Sequence, residues 1–143
     1  MSGGSLPVTA VAEIVQVDRQ QYYEWRDQGL LGSRRARAKL TLTDALEMAA
    51  LNVLTRATTA TKAALAYPAA RDAVREWRPG QRIELAWVDA DREAALIRAG
   101  EELLKLARRS RPVLLLGLHA ELERVQVAFA REASVSRRTR RRP

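Results

Sequence analysis

The chain has 143 residues and a formal net charge of +8, with 47% hydrophobic and 29% charged residues, which suits one domain or two very small ones and is too apolar for a mostly disordered chain. It has no cysteine and a single histidine, which removes disulfides, thiolate metal sites, cysteine nucleophiles and paired-histidine chemistry, so no enzymatic activity, cofactor or metal is expected. No apolar run nears the roughly 18 residues of a membrane span, and residues 1 to 15 lack the layout of a secretory signal. The expectation is a cytoplasmic, nucleoid-associated protein with no membrane partner.

Residues 1–7, with Ser-Gly-Gly-Ser, read as a flexible leader. Val8, Val11, Ala12 and Val15 then fall at i, i+3, i+4 and i+7, the stripe of a short amphipathic helix. Val17-Asp18 interrupts it. Asp18 suits an N-cap, and Gln21 stands where a capping box places its second member, so a second helix is expected from Arg19 to about Asp27 or Gln28, stopped by Gly29. On it, Tyr22 and Trp25 share the inner face, which turns Arg19, Gln20, Tyr23 and Glu24 outward. Leu30-Leu31 and Leu40-Thr41 read as two short strands flanking a basic loop, Gly32 to Lys39, in the manner of a wing.

Thr41-Leu42-Thr43-Asp44 opens the next helix, which runs to about Ala57. Thr58-Thr59 breaks the chain, Ala60 to Ala66 forms a helix, and Pro68 starts another that ends near Trp77 before Arg78-Pro79-Gly80. Alternation at Ile83, Leu85 and Trp87, with a partner at about Glu93 to Arg98, predicts a hairpin. A helix over Gly100 to Arg109, a strand over Pro112 to Leu118 and a last helix over Ala120 to Ala133 follow. Trp77 and Trp87 read as core anchors, His119 as a structural residue at a helix start, and Asp89, Asp91 and Glu93 as turn formers.

Val8 to Ile14, Val17-Asp18, Tyr22 to Trp25, Gly29-Leu30-Leu31 and Leu40 to Leu46 together resemble the winged helix-turn-helix of the MerR family, over residues 8 to 56. In this chain Gln16 stands where that family usually has glycine, Arg26 where it has an acidic residue, and Leu40 where it has the wing tyrosine. The resemblance implies sequence-specific binding to double-stranded DNA by a homodimer.

The fold class expected is therefore α+β: a winged helix-turn-helix over residues 8–57, a helical connector over 58–79, and a small β-β-α-β-α module over 80–133 for dimerisation or for a small-molecule or protein effector. Residues 134–143 read as a basic disordered tail. On the expected DNA surface, Gln20 can pair with adenine, Arg19 with guanine or phosphate, and Tyr23 with phosphate. Arg34, Arg35, Arg37 and Lys39 supply cations for phosphates or a minor groove. The expected function is that of a dimeric transcriptional regulator. An excisionase-like or small-terminase-like DNA-binding protein, or an antitoxin-type interaction protein, is the alternative.

Overall fold

The computed structural model describes residues 4–31, 39–88, 95–97 and 113–141. Their elements run β1 (Leu6–Pro7), α1 (Val8–Val15), α2 (Arg19–Asp27), β2 (Lys39–Leu40), α3 (Leu42–Ala57), α4 (Ala60–Glu76), β3 (Glu84–Val88), β4 (Ala95–Ile97), β5 (Val113–Gly117) and α5 (His119–Arg141). Helix predominates. The chain divides into two units, Met1–Ala49 with Arg124–Pro143, and Ala50–Glu123.

In the first unit α1 buries Val8, Val11, Ala12 and Val15, the four residues that its spacing puts on one stripe. It ends where Gln16 enters the left-handed region at φ 68° and ψ 44°. The Gln16 N–H then donates to the Glu13 carbonyl at 3.2 Å and the Val17 N–H to the Ala12 carbonyl at 2.9 Å, the paired bonds of a Schellman motif. Helix α2 starts three residues later. Its cap is the Asp18 carboxylate, which accepts from the Gln20 N–H at 2.9 Å, at the second helical position and not at Gln21. The same motif closes α2 around Gly29 at φ 77°, with Gly29 N–H to Arg26 O at 2.9 Å and Leu30 N–H to Trp25 O at 3.0 Å.

Two expectations for this unit are corrected. Leu30 and Leu31 lie in a turn and form no strand, so the expected hairpin flanking the basic loop is replaced by another pairing. Strand β2 pairs antiparallel with β1, Leu6 opposite Leu40 and Pro7 opposite Lys39. Leu6 and Leu40 are both buried, which takes the end of the expected leader into the core. Two residues are too few for period-2 alternation to announce a strand.

Helix α3 opens on a reciprocal capping box. The Asp44 carboxylate accepts from the Thr41 N–H at 2.9 Å and from the Thr41 hydroxyl at 3.0 Å, while the Asp44 N–H donates to Thr41 Oγ1 at 3.3 Å. All eight residues from Ala45 to Asn52 are buried, the pattern of a helix enclosed on every side. The boundary between the two units falls within it, at Ala49 and Ala50.

In the second unit, the expected break at Pro68 does not occur, and α4 runs unbroken from Ala60 to Glu76. Ala63, Ala66, Tyr67, Ala70, Ala73 and Val74 make one buried stripe spanning the proline, whose ring is exposed. A proline inside a helix costs about 3 kcal/mol, and burying one side chain of valine size or larger returns roughly 1.5–3 kcal/mol. Tyr67 and Val74 together offset the break. Residues 58–79 thus consist mainly of one helix with a buried stripe.

A hydrogen-bonded turn follows, in which Trp77 Nε1–H donates to the Gln81 carbonyl at 3.0 Å and the Gly80 N–H to the Glu123 carboxylate at 3.1 Å. Strand β3 then pairs antiparallel with β4, as the hairpin reading requires, and on its other edge with β5, in the order β4-β3-β5. The α+β class with a β-β-α-β-α module over 80–133 is overturned. The described chain is mostly helical, and α5 leaves the strands' unit after Glu123, its remainder belonging to the unit of α1 and α2. The helix expected over Gly100 to Arg109 lies outside the described residues.

Helix α5 also passes the expected stop at Ala133 and continues to Arg141, through residues read as a disordered tail. Between His119 and Arg141 there is neither glycine nor proline, and arginine is a good helix former.

Candidate nucleic-acid interface

The two ends of α2 give it a definite start, stop and orientation relative to α1. Tyr22 and Trp25 are 5% and 3% exposed, and this burial turns the opposite face to solvent. Arg19, Gln20, Tyr23 and Glu24 are all exposed there, as their helical positions predict. Arg19 and Gln20 are the first two residues of the helix, at the end where backbone N–H groups remain unbonded within the helix and the dipole is positive. That end favours anions.

Charge on the face itself is mixed. Arg19 is accompanied by Asp18, Glu24 and Asp27, all exposed, so the helix alone offers no strong positive field. Lys39 is exposed on β2, held opposite Pro7 by the β1–β2 pairing. Arg34, Arg35 and Arg37 lie outside the described residues. The structure therefore brings Arg19, Gln20 and Tyr23 together on one helical face and places Lys39 on a separate element of the same unit.

Arg26 joins this face although its sequence position alone does not mark it as a DNA contact. Its guanidinium carbon stands 5.0 Å from the Tyr23 ring centroid, a cation–π distance. The Tyr22 ring meets the Tyr23 ring edge-on, with centroids 5.2 Å apart and planes at 69°. Burial pushes the Tyr22 phenol above its ordinary range; the Arg26 charge and an Arg26 hydrogen bond oppose the shift, whereas Asp44 adds to it. Arg26 is three residues from Tyr23 and four from Tyr22, and that spacing was the available signal. Its Nη2 also lies 3.8 Å from Asp27 Oδ1.

Other candidates fall elsewhere. Trp77 is buried, in agreement with a core role, while the Trp87 side chain and residues Asp89, Asp91 and Glu93 lie outside what is described. His119 begins α5, with its Nδ1 buried and unbonded. Among the described residues no group of three or more His, Cys, Asp or Glu side chains is arranged to hold a metal ion. No described helix is long and apolar enough to cross a membrane. No protein-family model matches the chain, and no curated protein matches it.

Proposed function

We propose that this chain binds double-stranded DNA as a dimeric transcriptional regulator, with α2 lying in the major groove. The observation that carries the proposal is the outward face of α2, where Arg19, Gln20 and Tyr23 are exposed on a short helix whose opposite side is anchored by Tyr22 and Trp25. A helix of this diameter fits the major groove, and residues near its N-terminus reach base edges. Gln20 presents an amide able to pair with adenine N6 and N7, Arg19 donors for guanine or phosphate, and Tyr23 a hydroxyl for phosphate. The local resemblance to MerR-type sequences over residues 8 to 56 supports the same reading.

Selection of bound sites from random duplexes with the purified chain tests the proposal. A palindromic motif is expected, and its absence overturns specific binding by a dimer. Gln20→Ala is expected to change the selected motif at defined adenine positions, because the substitution leaves the phosphate contacts in place and removes one base reader. Each lost pairing of this kind costs about 1–3 kcal/mol in discrimination.

A further inference from the structure

We infer that Arg26 is a positioning residue for duplex recognition: it sets the Tyr23 phenol for a phosphate while making no contact with DNA itself. The inference rests on the reading of α2 as the DNA-facing helix. Tyr23 is 37% exposed, an aromatic side chain that would sample several rotamers if nothing confined it. Here the edge-on ring of Tyr22 confines one side of it, at 5.2 Å, and the Arg26 guanidinium covers its face, at 5.0 Å.

The confinement is anchored in the core. Tyr22 is 5% exposed, so the exposed Tyr23 ring is held between a buried ring and the Arg26 guanidinium. The Arg26 side chain is only 22% exposed, so less of it than of Tyr23 is open to a phosphate. A planar guanidinium is required, since lysine keeps the charge and loses both the stacked plane and the fork of donors. Fixing a side chain before binding spares the complex the loss of its rotamer freedom.

The test uses the full chain and the duplex that it selects from a random pool, with Kd measured over a series of salt concentrations for the wild type, Arg26→Ala, Arg26→Lys, Tyr23→Phe and the double variant Arg26→Ala with Tyr23→Phe. Arg26→Ala is expected to weaken binding about 3- to 10-fold with the salt slope unchanged. Arg26→Lys weakens it comparably. In the Tyr23→Phe background, Arg26→Ala causes no further loss, because the hydroxyl it positions is gone. The inference is overturned if Arg26→Ala costs the same in both backgrounds, if the slope falls by about one phosphate contact, if Arg26→Lys binds like the wild type, or if no variant differs from it. Far-UV circular dichroism at the assay temperature confirms that each variant is folded. A wild-type chain that selects no duplex overturns the reading of α2 and this inference with it, whereas a binding wild type with unaffected Arg26 variants overturns the inference alone.

Discussion

Gln16 holds a backbone conformation that L side chains resist. At φ 68° its Cβ crowds the carbonyl oxygen, at a cost of roughly 1–2 kcal/mol relative to glycine, and glycine in turn loses about 0.5–1 kcal/mol more on folding through its freer unfolded chain. Gln16→Gly is therefore expected to stabilise the protein by about 0.5 kcal/mol, read as a higher urea midpoint with an unchanged m-value; a lower midpoint would show that contacts of the glutamine side chain outweigh the strain. Tyr22 carries a second residue-scale consequence. Its phenol holds its proton more tightly folded than unfolded, so its contribution is fully present below the unfolded value near pH 10 and is lost as pH rises through the folded value. Urea midpoints at pH 8 and pH 11 are expected to fall further for the wild type than for Tyr22→Phe, and equal falls would refute the assignment.

At the scale of elements, what could be read from the sequence was whatever a local pattern encodes. The stripe of α1, the Asp18 and Thr41–Asp44 caps, the Gly29 stop and the extent of α3 all depend on neighbours within four residues, and all are found. Arg19, Gln20, Tyr23 and Glu24 follow from the same spacing. The errors arose where distant contacts decide. Pairing of Leu40 with Leu6 links residues 34 apart, and the continuity of α4 goes with a buried stripe that spans the proline. The division of α5 between the two units, after Glu123, has no local signal either. Pro68 makes the second case measurable. Its ring is exposed, so Pro68→Ala removes the interruption without opening a cavity, and a gain of about 1–3 kcal/mol in unfolding free energy is expected after allowing for the looser unfolded chain. Destabilisation would mean that the proline shapes α4 in a way the buried stripe needs.

At the scale of the whole molecule the question is where the +8 charge can act. Ser33 to Lys39 holds four cations and Arg137 to Arg142 five, so the rest of the chain is close to neutral. The exposed face of α2 adds Arg19 and offsets it with Asp18, Glu24 and Asp27. If the chain binds duplex DNA through α2, base readout and affinity must therefore come from different places: Gln20 and Arg19 choose the sequence, and the basic segments hold the backbone. The segment from 33 to 39 is the stronger candidate, because its two flanks are tied down in the unit that carries α2, by the Gly29 motif on one side and by the pairing of Lys39 and Leu40 with Pro7 and Leu6 on the other. Each phosphate contact releases counterions and contributes about 0.9 to the slope of log K against log salt. Arg35→Ala combined with Arg37→Ala is accordingly expected to reduce that slope by about 1.8 per bound chain and to weaken binding to selected and unrelated duplexes by similar factors, while the selected motif stays the same. An unchanged slope would remove the segment from the interface, and a changed motif would make these arginines readers of sequence.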